Sequence, residues 1–194
     1  AKFENLGILA ADVMTKKNGL AYSAQTKKDF KVALKKFYKW LLGNNEEYPT
    51  LVNWFDTSDV SEELITINEK EVEQIVKTAT SPLDKAFISV LFDLGARIGE
   101  CLNLELRDVI KKENCKIHIP FSKTFKRTLP LDKSIPYLQS WLIVHPRKDE
   151  RLFPLSYGQC LDRLQRYSEK AIGILITHQI IRHSKATQLA QAGV

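Results

Sequence analysis

The run from Thr177 to Gly193 limits the fold of this chain more than any other stretch. Its apolar residues recur at the spacing of one helix face, which predicts an amphipathic helix that packs against a core. The residues predicted to be buried are Ile181, Ala186, Leu189 and Ala190. Arg182 lies on the polar edge, where its planar guanidinium could bind phosphate oxygens in pairs. The alternative is an ordinary surface arginine on a solvated helix face.

A second stretch, Leu94 to Leu104, follows an apolar helical run and contains Arg97. Ala96 precedes this arginine and Gly99 follows two residues later, and small residues allow a sharp turn and a close approach of the backbone to a ligand. Glu100 could accept hydrogen bonds from the guanidinium and hold its orientation. Together with the arginine of the last helix, this stretch predicts a ligand that carries at least two negative charges.

Three motifs follow one another along the chain. They are Ala96 to Leu106, which begins Ala-Arg-Ile-Gly-Glu, then Ser122 to Leu131, and finally Arg-His-Ser-Lys-Ala-Thr at Arg182 to Thr187. In residue pattern, order and spacing they resemble the tyrosine recombinase (phage integrase) family, particularly its archaeal members. The resemblance extends from about Ser23 to Val194.

The resemblance implies a mainly α fold with a small antiparallel β-hairpin or sheet, in the α+β class. It implies a helical core-binding domain over residues 1–60, a linker at 61–66 and a C-terminally incomplete catalytic domain over 67–194. In the family, the two domains clamp duplex DNA from opposite sides. The polar run at 56–63, which is poor in bulky residues, also indicates a linker.

The resemblance further implies transfer of a DNA phosphodiester to a tyrosine, with no metal, ATP or other cofactor. Arg97 and Arg182 would stabilise the charge that develops on the non-bridging oxygens in the transition state. Lys123, in the hairpin motif, would protonate the departing 5′ oxygen as a general acid. Glu100 and His183 are expected to support these groups.

The family places a histidine, or in some members a lysine, three residues before the second arginine. Here that position is Gln179, and His178 lies one residue earlier. One residue rotates a side chain by about 100° on a helix, so the two cannot both face the phosphate in a continuous helix. We expect Gln179 to fill the position, with weaker general-base help, unless the helix begins late and lets His178 turn inward.

The nucleophile is the larger departure from the family pattern. The family tyrosine follows the second-arginine box by some tens of residues, whereas all six tyrosines here precede Arg182. We therefore expect an archaeal integrase-like enzyme truncated before its nucleophile, which binds duplex DNA and is inactive alone. The alternative is a non-catalytic DNA-binding integrase remnant, and a third possibility is a basic helical interaction domain unrelated to DNA. The fragment is expected to be a monomer in solution, and the complete protein a tetramer on DNA.

Basic residues on three elements are predicted to contact DNA phosphates. One element is a helix from Ser23 to Leu42, indicated by the spacing of Phe30, Ala33, Leu34, Phe37 and Leu41. The predicted contacts are Lys28, Lys31, Lys35 and Lys39 on that helix, Lys126 and Arg127 near the hairpin tip, and Arg163 and Arg166 on a helix from Tyr157 to Ile172. For the lysine stripe, a solvated charged face is the alternative.

The other elements follow from caps and strand patterns. Thr66 or Asn68 should cap a helix that ends near Thr78, and Ser81-Pro82 should open the next. Strands are predicted at 108–112 and 116–121 with a return arm at 128–131, and a helix at 134–144. Pro120 predicts an edge position for its strand, because proline cannot donate to a sheet ladder.

Composition bounds the class of partner. Lysine and arginine number 29 against 23 acidic residues, a net charge of +6 that favours an anionic partner. Cys101, Cys115 and Cys160 have no metal-ligand spacing and form no even set, which predicts reduced thiols and an intracellular location. With DNA as the expected partner, we expect the protein to be cytoplasmic and associated with the nucleoid. We expect no membrane span, secretory signal, metal or cofactor.

Overall fold

The computed structural model describes residues 21–42, 47–58, 65–110, 115–120, 125–148 and 150–193. The chain forms two compact units, 1–63 and 64–194, and the boundary between them falls within the segment predicted as a linker. The described residues are mostly helical, with a three-stranded antiparallel sheet. The predicted fold class is therefore confirmed. Among these residues no helix combines the length and the apolar character needed to cross a membrane.

The described part of the first unit consists of α1 (Ala24–Leu42) and α2 (Thr50–Asn53), which confirms the predicted first helix. Val52 and Phe55 are buried, and Leu34 and Tyr38 of α1 pack against them. The other apolar residues of the predicted face are exposed: Phe30, Ala33, Phe37 and Leu41. Within the described residues, the edge of α1 that carries Leu34 and Tyr38 is the part that meets the cluster at α2.

The four lysines of the predicted stripe on α1 are half-buried. The ammonium groups of Lys35 and Lys39 lie 5.4 and 4.9 Å from the centroid of the Tyr48 ring, within cation–π range. Hydrogen bonds from Ser58 hold the pKa of Asp56 below its ordinary value, and the charge of Lys35 contributes less. The stripe therefore makes contacts within its own unit, and its binding to DNA remains a prediction.

The second unit is built around one buried helix. Its elements are α3 (Glu69–Thr78), α4 (Pro82–Leu94), α5 (Ile98–Leu102), a 3₁₀ turn (Leu106–Asp108), β1 (Val109–Ile110), β2 (Lys116–Ile119), β3 (Arg127–Pro130), α6 (Ile135–Val144), α7 (Tyr157–Ile172) and α8 (His178–Gln191). Most residues of α4 are buried, and this helix packs against α3, α6 and α8. Because α4 runs directly into the Arg97 stretch, the core fixes where that stretch begins.

Predicted caps set the starts of the two helices before that stretch. Asn68 caps α3 through a capping box, in which its side chain accepts from Glu71 N and the Glu71 carboxylate accepts from Asn68 N. Ser81 caps α4 by accepting a hydrogen bond from Asp84 N at 3.0 Å, with Pro82 in the first turn. Of the two caps proposed for α3, Asn68 is the one observed.

The sheet has the strand order β1-β2-β3, so β2 is its central strand. The prediction that Pro120 marks an edge strand is wrong. Pro120 follows the last residue of β2, Ile119, and therefore never has to donate a hydrogen bond to the ladder. Ile117 and Ile119 of β2 are buried, which attaches the sheet to the core. Of the strand predicted at 108–112, residues 109–110 form β1, and 111–112 lie outside the described residues.

The buried side of α8 differs from the prediction. Ile181 is buried as expected, but Ala186, Leu189 and Ala190 are exposed. The other buried residue of this helix is Ser184, whose hydroxyl donates to Ile180 O and accepts from Ile67 N. The two buried residues lie in the first half of α8, so its second half extends past the packed region and leaves small apolar residues uncovered.

Cys101, Cys115 and Cys160 form no disulfide. Burial raises the pKa of Cys101 to about 12, and it raises the pKa of Cys160 to the same value. Both thiols stay protonated at neutral pH, so they behave as small apolar core residues.

Candidate functional site

The Arg97 stretch turns at a glycine that the motif analysis did not single out. Gly95 ends α4 in the left-handed conformation, with φ of 53°. Ala96 is buried behind it, and Arg97 is the residue immediately before α5. The expectation that Gly99 provides the turn is wrong, because Gly99 lies inside α5. The left-handed turn directs the Arg97 side chain outward while its backbone stays anchored in the core.

Glu100 fixes the orientation of Arg97, as expected. Its Oε1 accepts from Arg97 Nη1 at 3.2 Å and its Oε2 accepts from Arg97 N at 3.0 Å. The Glu100 side chain is 5% exposed, whereas that of Arg97 is 44% exposed. The buried carboxylate thus holds one edge of a guanidinium that is otherwise open to solvent, an arrangement suited to an anionic ligand.

Arg182 is held at the same turn from the other end of the chain. Its Nη1 donates to Gly95 O at 2.8 Å. Thr177 caps α8 through a hydrogen bond to its side chain from Ile180 N, so the helix begins at His178 and Arg182 lies in its second turn. The structure therefore brings the two predicted arginines to one turn, with a carboxylate and a carbonyl oxygen as their supports.

Arg127 was expected to contact DNA near the hairpin tip, and the structure places it differently. It is the first residue of β3, its side chain is 20% exposed, and it turns inward to Glu100. Nη2 donates to Glu100 Oε2 at 2.8 Å, and Nη1 lies 3.5 Å from Oε1. Lys126 is exposed, and Lys123 lies outside the described residues. The position of the proposed general acid therefore remains a prediction.

The four residues before Arg182, from His178 to Ile181, are all helical. The helix therefore does not begin late, and His178 cannot turn inward in the way that alternative required. The ring of His178 packs edge-on against Tyr157, with centroids 5.2 Å apart. Burial lowers the pKa of His178 below its ordinary value, so the neutral form dominates at pH 7. Gln179 is exposed, and its amide makes no hydrogen bond to another described residue. His183 is exposed on the same helix.

The two arginines of α7 divide into an internal and an exposed residue. Arg163 is half-buried and pairs with the buried carboxylate of Asp84, and its contact with DNA remains a prediction. Local sequence patterns could not predict this pair, because Asp84 and Arg163 are 79 residues apart in the chain. Arg166 is exposed, and it donates to the Tyr167 hydroxyl at 3.2 Å. Contact between Arg166 and DNA remains a prediction.

Two residues of the second-arginine box support the site without having been predicted to do so. Ser184 anchors Ile67, at the start of the second unit, to α8. Lys185 packs its side chain over Gly95, where a Cβ atom would meet Lys185 Cγ at 3.1 Å. The second-arginine motif pointed to both residues as part of the site. The atoms that they contact could not be predicted from it. No group of three or more metal-ligand side chains occurs among the described residues.

Residues 66–194 match the model of the phage integrase family, and the chain belongs to that family. It is 29% identical over 152 residues to Transposase A from transposon Tn554 of Staphylococcus aureus, a match that covers 66% of this chain and 42% of the transposase. It is 25% identical over 165 residues to tyrosine recombinase XerA of Saccharolobus solfataricus, covering 84% of this chain and 53% of XerA. The chain spans about half the length of these relatives.

Solved structures share the fold. XerH site-specific recombinase bound to palindromic difH substrate, in a post-cleavage complex, matches with a TM-score of 0.74 and 21% identity, over 98% of this chain and 62% of that chain. The Tn1549 transposon integrase in complex with circular intermediate DNA matches with a TM-score of 0.70 and 18% identity, over 99% and 74%. A λ integrase tetramer bound to a Holliday junction matches with a TM-score of 0.66 and 16% identity, over 84% and 54%.

Proposed function

We propose that this chain is the DNA-binding and phosphate-activating part of a tyrosine-type site-specific DNA recombinase, of the archaeal integrase kind. Membership of the phage integrase family supports the class of reaction. The observation that carries the proposal is the hydrogen bond from Arg182 to Gly95 O, two residues before Arg97. It brings both permanently charged side chains to one turn, where a single phosphate can bind both.

The proposed reaction is attack of a tyrosine oxygen on a DNA phosphodiester. A 3′-phosphotyrosyl bond forms and the bond to the 5′ oxygen breaks. Arg97 and Arg182 stabilise the negative charge on the non-bridging oxygens, with Glu100 orienting the first of them. Lys123 gives the proton that the 5′ oxygen needs to leave. All six tyrosines of the sequence precede Arg182, and we assign the attacking tyrosine to none of them.

Gln179 takes the position that a histidine or lysine fills in the family, and it contributes a hydrogen bond without proton transfer. Its exposed amide at the start of α8 supports this role, since His178 is already packed against Tyr157. Proton removal from the attacking tyrosine is then left to solvent or to other groups, which lowers the rate and leaves phosphate binding intact.

The proposed partner is duplex DNA, contacted through Lys126, Arg166 and the lysines of α1. Residues 1–60 are the proposed DNA-clamping domain and 67–194 the catalytic domain. We expect this chain to be a monomer in solution and the complete protein to act as a tetramer on DNA, as the λ integrase complex with a Holliday junction is a tetramer. We expect the protein to act in the cytoplasm, in association with the nucleoid.

The test uses a nicked duplex whose 3′ end carries a p-nitrophenyl phosphate ester. Nitrophenolate needs no general acid, so with hydrogen peroxide as an external nucleophile the assay reports activation by the arginines alone. At saturating protein, Arg97→Ala and Arg182→Ala should each slow nitrophenolate release about 10²- to 10³-fold, as removal of one transition-state donor does. The duplex Kd should stay within a few-fold.

The matched control is Arg107→Ala, since this arginine is 75% exposed and pairs with Glu105. It should release nitrophenolate at the rate of the unaltered chain. Duplex binding without any acceleration of release would favour the non-catalytic DNA-binding remnant. A covalent protein–DNA adduct on a denaturing gel, formed by this chain alone, would overturn the proposal that its nucleophile lies elsewhere.

A further inference from the structure

We propose that Arg127 is a positioning residue that neutralises the Glu100 carboxylate, so that Arg97 keeps its charge for the scissile phosphate. This inference rests on the proposed function, because it concerns the same phosphate. It replaces the expected DNA contact of Arg127 with a role inside the site, which no motif assigned to it.

The geometry makes Glu100 a carboxylate shared by two arginines. Arg127 approaches both of its oxygens, with Nη2 2.8 Å from Oε2 and Nη1 3.5 Å from Oε1. Arg97 binds the same oxygens through Nη1 and its backbone N. The two arginine side chains differ in exposure, at 20% for Arg127 and 44% for Arg97. The inner arginine serves the carboxylate, and the outer one faces the solvent from which a ligand arrives.

The charges explain why the inner arginine matters. Arg97, Arg127 and Arg182 contribute three positive charges and Glu100 one negative charge, so these four side chains together carry a net charge of +2. Without Arg127 the net charge falls to +1. Attack of an oxyanion on a phosphodiester produces a transition state with two negative charges. Loss of one positive charge therefore destabilises the transition state more than the bound substrate. The buried carboxylate would also bind Arg97 more strongly and compete with the phosphate.

Arg127 also connects the turn to the sheet. It opens β3, four residues after Lys123, and it reaches Glu100 across 27 residues of sequence. An arginine fork held on both oxygens of a buried carboxylate fixes the start of β3 relative to α5. The strand that follows the proposed general acid is thereby attached to the residue that orients Arg97.

The test measures nitrophenolate release at saturating protein for Arg127→Met, which removes the charge but keeps a long apolar side chain. Release should slow about 10- to 100-fold, the effect of one unit charge several ångströms away. The duplex Kd should change less than about threefold, because the Arg127 side chain is mostly buried against Glu100. Arg127→Lys, which keeps the charge, should retain most of the rate.

The deciding variant is Arg127→Met combined with Glu100→Gln. The amide can still bind Arg97 but carries no charge, so the double variant should recover most of the rate lost by Arg127→Met. If Arg127 merely held β3 in place, the second substitution would leave the rate as low or lower, and the inference would be overturned. Retention of the full rate by Arg127→Met would also overturn it.

Failure of the proposed function gives a different result. If Arg97→Ala and Arg182→Ala release nitrophenolate as fast as the unaltered chain, the phosphate role of both arginines is wrong and the inference falls with it. If those variants are slow while Arg127→Met is fast, only the role of Arg127 is overturned. Thermal unfolding of each variant verifies that the comparison is made on folded protein.

Discussion

A buried carboxylate on α4 is bound by two side chains of α7, through a hydrogen bond and an ion pair. Asp84, 2% exposed, accepts a hydrogen bond from the Tyr167 hydroxyl at 2.7 Å and pairs with Arg163. The Tyr167 hydroxyl also lies 3.2 Å from Thr80 Oγ1. A buried carboxylate is tolerated only when such partners satisfy it. Arg163 was assigned to DNA because sequence shows its charge but not the partner that already binds it.

Removing the Tyr167 hydroxyl should destabilise the second unit measurably. In Tyr167→Phe, Asp84 loses a donor inside the core, and we expect the free energy of unfolding to fall by about 1–3 kcal/mol. Tyr137→Phe is the control, since Tyr137 is half-buried and its hydroxyl makes no hydrogen bond within the described residues; it should change stability by less than about 0.5 kcal/mol. Urea unfolding followed by circular dichroism measures both, and equal losses would contradict the prediction.

At the scale of elements, the turn between α4 and α5 organises the site. Gly95 ends one helix, Arg97 precedes the next, and Arg182 binds the carbonyl oxygen of Gly95. Most helices, the caps of α3 and α4 and the strands of the hairpin were predictable because apolar spacing and capping residues are local signals. Which glycine forms the turn, Gly95 or Gly99, was not predictable from the sequence. Either glycine permits a turn, and the packing of α4 decides where that helix ends.

Two alanine substitutions separate these glycines. Gly95→Ala places a side chain at φ of 53° and brings its Cβ to 3.1 Å from Lys185 Cγ, so stability should fall by about 1–2 kcal/mol or more. Gly99→Ala adds a Cβ with no heavy atom within 4 Å inside a helix, and stability should rise by up to about 1 kcal/mol. Thermal unfolding compares them, and a harmless Gly95→Ala would contradict the turn described here.

For the molecule as a whole, a net charge of +6 favours binding to a polyanion, but only cations that can reach the phosphates make direct contacts with them. Arg127 and Arg163 already pair with the buried carboxylates of Glu100 and Asp84. Formal charge therefore overstates the number of residues that can reach DNA. The exposed Lys126 remains a candidate for contact.

The salt dependence of duplex binding tests this whole-molecule view. Loss of one phosphate contact reduces the slope of log K against log salt by about 0.9, so Lys126→Ala should lower the slope by about that amount. Lys77→Ala is the control, because Lys77 is exposed on α3 and pairs with Glu73 at 3.6 Å. Fluorescence anisotropy at several salt concentrations gives both slopes. An unchanged slope in Lys126→Ala would remove this residue from the interface.

The sequence by itself determined the helical class, the hairpin and most helix starts, and it predicted the two arginines of the candidate site, because each depends on residues close together in the chain. Tertiary structure decided which charged side chains are free. Arg127 meets Glu100 across 27 residues and Arg163 meets Asp84 across 79, and Arg182 meets Gly95 across 87. It also decided that α8 buries Ser184 rather than Leu189. Burial and ion pairing depend on residues that are distant in sequence and become neighbours only in the folded chain. The spacing of residues within one element does not identify those partners.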